Sequence, residues 1–252
     1  MHVLQEGAAP RSARRTLTVP EAEAIIGGSL SRPSKMPCPA WGISAYECRR
    51  GGELAARPGT VCSACYARRG HYLGPSVITA HERRLAALAH PLWSDAMAFL
   101  INAYARGGHF RFFDSGDLQG PGHLDMILWV ARRTPTVSHW LPTRETGIVR
   151  RRLGDIPSNL TVRVSADVIG KAAQRAMGLP TSTVHRDPGV PVRTGTSRKN
   201  DSIECLAYLR DHRCGQCRAC WSPKVRNVSY LLNAGLRSAS REVARVHLAV
   251  LP

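Results

Sequence analysis

The eight cysteines are the residues of this chain best suited to chemistry, and seven of them fall into two groups. The first group is Cys48, then thirteen residues, then the pair Cys62 and Cys65. A CxxC pair lets two thiolates bind one metal centre from a tight turn, and it is shared by zinc knuckles, thioredoxin-like motifs and iron–sulfur sites. The pair lies between loop-like stretches with no predicted strand before it, which disfavours the thioredoxin-like interpretation.

The second group is Cys205, then eight residues, then Cys214, Cys217 and Cys220 at CxxCxxC spacing. Bacterial ferredoxins use this spacing because the chain can wrap a cubane and meet three of its corners, with a remote cysteine as the fourth ligand. Zinc more often uses two separated CxxC knuckles, so iron–sulfur is favoured and zinc stays the alternative. Cys38 is either a small buried apolar residue or a fourth ligand of the first group. We favour three ligands there, because three leave an iron open to substrate.

Composition limits the class of protein. The chain has 252 residues, 43% of them hydrophobic, which is ordinary for a globular protein. No apolar run is long enough to span a bilayer, and the N-terminus lacks the apolar region of a secretory signal, so we expect a cytoplasmic protein with no membrane partner. Disulfides are then unexpected. The formal charge of +17 attracts polyanions such as nucleic acid, although an arginine-rich codon usage would also produce it.

The elements that must position these cysteines follow a repeating order of strand, loop and helix. The predicted strands are 109–113, 136–141 and 159–164, and the predicted helices are 77–89, 92–105, 122–133, 147–153 and 166–180. This order predicts an α/β protein with a parallel sheet, as a partial (βα) barrel. The runs DSGD, PTRE and SAD follow the three strands, so we expect them to converge at the carboxyl edge of the sheet.

Three regions are expected along the chain. Residues 1–32 are predicted to be a flexible N-terminal segment. Residues 33–184 form the α/β core, which begins with a cysteine-rich loop over 33–75. Residues 185–252 hold a polar loop, a small cysteine-cluster subdomain and a basic terminal helix over 231–250.

The motifs KMPCPAWGISAYEC, GTVCSACYARRGHY, FRFFDSGDLQ, HWLPTRE, NLTVRVSAD and CGQCRACW occur in this order. Together they resemble the phage gene-eighty-eight protein family over roughly residues 34–230. If the protein is phage-encoded, we expect it in the host cytoplasm. That family implies no settled activity.

A more distant resemblance is to radical S-adenosylmethionine proteins, in which three cysteines bind a [4Fe–4S] cluster and S-adenosylmethionine chelates the fourth iron. Carried over, this implies that Cys48, Cys62 and Cys65 hold the cluster. It also implies cofactor-contacting residues in the turns after two strands, namely Ser115, Gly116, Asp117, Ser165 and Asp167. The chain departs from that superfamily in its thirteen-residue first spacing, in Ala64 where an aromatic residue is usual, and in SGD where GGE is usual.

The leading function is therefore an iron–sulfur protein of radical S-adenosylmethionine type with an open iron at the first cysteine group. The second group would hold an auxiliary cluster, and an external electron donor would be needed for catalysis. A nucleic acid, nucleotide or phosphorylated metabolite is the expected substrate class. The alternative is a zinc-stabilised nucleic-acid-binding protein without catalysis, in which both groups are structural and the arginines contact phosphates.

Overall fold

A computed structural model of the protein describes residues 17–174, 176–194 and 202–232. The strands are β1 (Ala40–Trp41), β2 (His109–Phe112), β3 (Ser138–Thr143), β4 (Leu160–Ser165), β5 (Thr181–His185), β6 (Ser202–Glu204) and β7 (Asn227–Leu231). The α-helices are α1 (Val19–Ile25), α2 (Arg49–Ala55), α3 (Pro75–Ala87), α4 (Trp93–Tyr104), α5 (Pro121–Arg133) and α6 (Thr146–Arg150). None of the helices in these ranges is long and apolar enough to cross a lipid bilayer.

All seven strands form one parallel sheet in the order β1-β2-β3-β4-β5-β7-β6. The predicted parallel α/β architecture is confirmed, and the sheet is not closed, since β1 and β6 lie at its two ends. Arg111 pairs with Trp140 across β2 and β3, and Trp140 pairs with Thr161 across β3 and β4. Because side chains alternate between faces along each strand, these three side chains share one face of the sheet.

The main apolar core lies on the other face of the sheet, under α1, α4 and α5. Phe110 and Phe112 of β2 and Val162 of β4 belong to this core and are fully or almost fully buried. The rings of Trp41 and Trp93 meet edge to face at a centroid distance of 5.2 Å, which fixes α4 against β1. The helical apolar spacing from which α4 was predicted is therefore the spacing of residues that cover the sheet.

The predicted helix over 166–180 is wrong. Gly170 and Gly178 have φ angles of 77° and 79°, and Met177 has a φ angle of 53°. These left-handed conformations are incompatible with a continuous right-handed helix, and the segment instead turns into β5.

Helix α1 occupies part of the segment that was predicted to be flexible. The Thr18 side chain caps its first turn, and the Glu21 side chain accepts from the Thr18 backbone in return. Ala22 and Ile26 are fully buried in the core, so packing holds this helix in place. Of the predicted terminal helix over 231–250, Leu231 belongs to β7, and residues 233–250 lie outside the described residues.

The cysteine-rich C-terminal segment packs on the face of the sheet opposite the helices. Trp221 Nε1 donates to the Phe110 carbonyl at 2.8 Å, and Thr161 Oγ1 donates to the Trp221 carbonyl at 2.7 Å. Strands β6 and β7 extend the main sheet. Over residues 202–232 the structure therefore shows part of the main fold and no separate cluster subdomain.

Candidate functional site

The turns that follow β2, β3 and β4 meet at the carboxyl edge of the sheet. Asp117 Oδ1 accepts from Thr143 Oγ1 at 2.6 Å, and Asp117 Oδ2 accepts from the Arg144 backbone N–H at 2.9 Å. Arg144 Nη2 donates to the Ala166 carbonyl at 3.1 Å. The predicted convergence of the DSGD, PTRE and SAD runs is therefore confirmed.

The segment that carries the first cysteine group lies across this edge. The Arg50 backbone N–H donates to Glu145 Oε1, and Arg50 Nη2 donates to Asp167 Oδ2, both at 2.8 Å. The Val61 backbone N–H donates to the Asp167 carbonyl at 2.9 Å. These contacts tie both ends of the cysteine segment to the turns after β3 and β4.

The thiols of Cys48 and Cys62 approach one another beside Gly51, and Cys65 follows Cys62 in the same tight turn. Cys48 is the N-cap residue of α2, and Cys62 and Cys65 are joined by a tight turn in which the Cys65 N–H donates to the Cys62 carbonyl at 3.2 Å. A Cβ atom at Gly51 would lie 3.6 Å from Cys48 Sγ and 3.5 Å from Cys62 Sγ. The distance between the two sulfurs is therefore no more than the sum of these two distances. Gly51 leaves beside them a space that any side chain would fill.

Burial and neighbouring charges act together on these thiols. Burial raises the pKa of Cys48, and the charges of Asp117, Cys62 and Cys65 raise it further. Burial likewise raises the pKa of Cys62, and the Arg144 guanidinium opposes that shift. Metal binding must therefore displace protons from these sulfurs, and Arg144 favours that displacement.

The described ranges contain no group of three or more His, Cys, Asp or Glu side chains arranged to hold a metal ion. A single zinc ion would need its sulfurs at about 2.3 Å from one point. A cubane instead meets each cysteine at a different corner. Cluster binding by the first group stays a prediction.

Two buried oxygen atoms beside this segment have no hydrogen-bond partner among the described residues. They are Asp114 Oδ1 and Ser115 Oγ, on residues that are 9% and 4% exposed. The Asp114 carbonyl accepts from the Tyr66 hydroxyl at 2.7 Å, which places this turn next to the residue that follows Cys65. Unsatisfied buried oxygens are rare in folded proteins, and each of these two atoms retains the capacity to accept a hydrogen bond.

Asp117 was predicted to contact a cofactor, but its carboxylate already accepts hydrogen bonds from groups of the protein. Its carboxylate also accepts from the Leu118 backbone N–H at 2.8 Å, for three hydrogen bonds in all with those from Thr143 and Arg144. Burial raises its pKa to about 6 against the effect of these bonds. Asp117 therefore positions the turn after β3. Neighbouring Gly116 has a φ angle of 84°, and a Cβ there would lie 2.5 Å from a side-chain atom of Ile43.

The second cysteine group lies on the sheet face that carries Arg111 and Trp140. The Cys217 N–H donates to the Cys214 carbonyl at 3.1 Å, which closes the turn between them. Burial raises the pKa of Cys205, and the charges of Cys214 and Cys217 raise it further. Cys220 Sγ lies 3.0 Å from the Tyr230 hydroxyl.

Cys38 lies with the second group. Burial raises its pKa to about 12, and the charges of Cys214 and Cys220 add to that shift, while Arg111 and Arg218 oppose it. The thiol belongs to the buried cluster that contains Cys220. The alternative in which Cys38 completes the first group is therefore not the arrangement in the structure.

A family model described as Gene product 88 matches residues 4–223. The chain belongs to the gene product 88 family. No curated protein and no solved structure matches the chain. The family match spans both cysteine groups, so both belong to the part of the chain that is typical of the family.

In this gene product 88 protein, the other two predicted cofactor-contacting residues lie at the same edge of the sheet. Ser165 Oγ accepts from Ser182 Oγ at 3.1 Å, between the ends of β4 and β5. Asp167 pairs with Arg50 and lies 4.0 Å from Arg144 Nε. Asp167 is placed to hold the cysteine segment, and the contact of either residue with a cofactor stays a prediction.

Two arginines in the middle of strands were not identified from the sequence. Arg163 is fully buried, and its guanidinium donates to five backbone carbonyls, those of Thr181, Ala219, Cys220, Ser222 and Val225. Arg111 lies over the Trp140 ring at 4.3 Å from its centroid. The sequence contained a signal for both, because each arginine lies between two apolar residues within a strand, as FRF and VRV.

Proposed function

We propose that this protein is an iron–sulfur protein of radical S-adenosylmethionine type. Cys48, Cys62 and Cys65 would hold a [4Fe–4S] cluster with one open iron. The observation that carries the proposal is the position of these thiols, which gather over the carboxyl ends of parallel strands beside the turns after β2, β3 and β4. In parallel α/β barrels this edge carries the chemistry.

The residues around the thiols fit such a group. When bound, the cluster would supply the electron that cleaves S-adenosylmethionine and generates a radical able to abstract hydrogen from a substrate. Gly51 leaves room beside the sulfurs, and Arg144 offsets the negative charge of the thiolates. The unpartnered Asp114 Oδ1 and Ser115 Oγ could accept hydrogen bonds from the amino group of S-adenosylmethionine.

The second cysteine group supports a second cluster in the same proposal. Its residues pack against Trp140 and Trp221, whose ring centroids lie 5.3 Å apart. Apolar shielding of this kind keeps water from a cluster and tunes its potential. The second centre would transfer electrons or hold the fold together, and an external electron donor would be required.

Surface charge supports a polyanionic substrate, namely a nucleic acid, nucleotide or phosphorylated metabolite. The chain carries 35 Lys and Arg residues against 18 Asp and Glu residues. Close to the first group, Tyr46 is exposed, and the Arg68 guanidinium lies 4.6 Å from its ring centroid. Exposed aromatic rings beside arginines are typical of surfaces that bind single-stranded nucleic acid.

A zinc-stabilised nucleic-acid-binding protein is the second candidate, and the net charge of +17 favours it. In that case both cysteine groups are structural and no reaction takes place. The two candidates differ in colour, metal content and reactivity toward S-adenosylmethionine.

The test is cleavage of S-adenosylmethionine by anaerobically purified, dithionite-reduced protein, measured as release of 5′-deoxyadenosine. We expect cleavage by the natural sequence, loss of cleavage in Cys62→Ala, and retention in the matched control Ser63→Ala, whose hydroxyl bonds only within its own turn. A colourless protein with stoichiometric zinc and no cleavage would overturn the proposal in favour of the second candidate.

A further inference from the structure

We propose that Cys38, rather than Cys205, completes the metal centre of the second cysteine group, together with Cys214, Cys217 and Cys220. The spacing of the cysteines in the sequence places Cys38 nearer the first group, so this ligand follows only from the fold. The inference concerns the second centre alone and does not depend on the reaction proposed for the first.

Backbone contacts bring the segment before β1 against the loop of the second group. The Cys214 backbone N–H donates to the Lys35 carbonyl at 3.1 Å. Met36 and Cys205 pack against one buried cluster that contains both Cys38 and Cys220. These contacts, between residues about 180 positions apart in the sequence, place Cys38 beside the second group.

The immediate surroundings of Cys38 contain several thiols in an apolar pocket. Cys38 and Cys220 are 8% and 9% exposed, and Trp140 and Trp221 belong to the same cluster. All eight cysteines are free thiols. Soft sulfur donors are the ligands that iron–sulfur clusters and zinc prefer, and here they range from the buried Cys38 and Cys220 to the exposed Cys217.

Arg111 provides an independent observation. Its guanidinium contacts the Trp140 ring, Met36 Sδ at 3.2 Å and the Tyr66 hydroxyl at 3.3 Å, none of which is a carboxylate. Among the described residues it forms no ion pair with a carboxylate. A sheltered cation of this kind needs a compensating anion. The Asp114 carboxylate acts on Arg111 without a direct ion pair, and thiolates bound to a metal would add a negative charge next to it.

Three arginines place positive charge near the thiols of the second group. Arg111 and Arg218 both act on Cys38, and Arg111, Arg210 and Arg218 all act on Cys214. A centre with four thiolates keeps a net negative charge whether it holds zinc or a cubane, so three guanidinium groups are suitable neighbours. A metal bound there would link the segment before β1 to the loop after β6.

The experiment isolates the second centre. In full-length protein with Cys48→Ala, Cys62→Ala and Cys65→Ala, iron, sulfide and zinc per chain are measured after anaerobic purification and after reconstitution with Fe²⁺ and sulfide or with Zn²⁺. Cys38→Val is then added, which keeps an apolar side chain but removes the sulfur. Cys38→Ser, which changes one atom, is made in parallel in case valine prevents folding, and circular dichroism reports the fold.

We expect the triple variant to keep one metal centre per chain, and both Cys38 variants to lose most of that metal, to the level of Cys214→Val. Retention of the metal by folded Cys38→Val or Cys38→Ser would show that Cys38 is only a packing residue and would overturn the inference. A triple variant that binds no metal at all would also overturn it, whatever the first group does in the natural sequence.

Discussion

His123 and His139 are two histidines that the fold holds without charge. His123 lies among the rings of Trp41, Trp93 and Phe113, with centroid distances of 5.9, 5.8 and 5.5 Å. Burial lowers its pKa to about 3, and burial lowers the pKa of His139 to about 4. Both imidazoles are therefore neutral in the folded protein at neutral pH.

These shifts predict acid sensitivity. In the unfolded chain histidine titrates near pH 6.5, so between that value and the folded pKa the unfolded state binds more protons and the free energy of unfolding falls as pH falls. Above about pH 6.5 the two neutral histidines do not lower the free energy of unfolding. At pH 5 each of them lowers it by about 2 kcal/mol. Urea unfolding at pH 7.5 and pH 5 should show a smaller difference for His123→Leu than for the natural sequence. An equal pH-dependent difference in His123→Leu and the natural sequence would contradict the claim that His123 is buried without charge.

Gly51 and Gly52 are adjacent in α2 and offer a matched pair of substitutions. Alanine stabilises a helix by roughly 0.5–1 kcal/mol relative to glycine. At Gly52 a Cβ would meet nothing within 4 Å, but at Gly51 it would lie 2.9 Å from Cys48 Cβ. We expect Gly52→Ala to keep its metal and gain stability, and Gly51→Ala to lose more than half of the iron of the first group. Equal iron content in the two variants would show that the space beside the sulfurs has no role.

At the scale of elements, the parts with regular apolar spacing were predictable and the polar ones were not. Strands β2, β3 and β4 and helices α3, α4 and α5 were found within about three residues of their true ends. Strands β5 and β7 were missed because their buried positions are polar. Asn227 Nδ2 donates to Thr183 Oγ1 at 3.0 Å, and His185 Nδ1 lies 2.8 Å from Ser229 Oγ, in a network that only the pairing of distant strands satisfies.

Arg163 holds the loop of Cys220 onto β4, and its removal would leave carbonyls buried without donors. We expect Arg163→Met to lower the free energy of unfolding by about 3 kcal/mol or more. The control is Arg152→Met, which removes an exposed pair with Asp125 and should lower the free energy of unfolding far less. Urea unfolding of chelator-treated protein compares the two without the contribution of metal. Similar losses in both variants would contradict the role given to Arg163.

At the scale of the whole molecule, one thiol group lies at the carboxyl edge of the sheet and the other lies on one face, and the sequence identified both groups but could not place them. The membership of each group could be predicted from the close spacing of its cysteines, because residues a few positions apart must lie near one another. The position of Cys38 could not be predicted, since it depends on contacts between the segment before β1 and the loop after β6. Arg111 was missed for the same reason, because its contacts with Met36 and Tyr66 bring both sites to one side chain.

The central claim is that two separate thiol groups each bind metal, with iron and sulfide as the expected content. Iron, sulfide and zinc per chain, measured after anaerobic purification of the natural sequence, Cys48→Ala and Cys214→Ala, test this directly. We predict a brown natural protein with two [4Fe–4S] clusters, and variants that each lose one cluster and keep the other. Colourless protein without sulfide, or variants whose iron content equals that of the natural sequence, would contradict it.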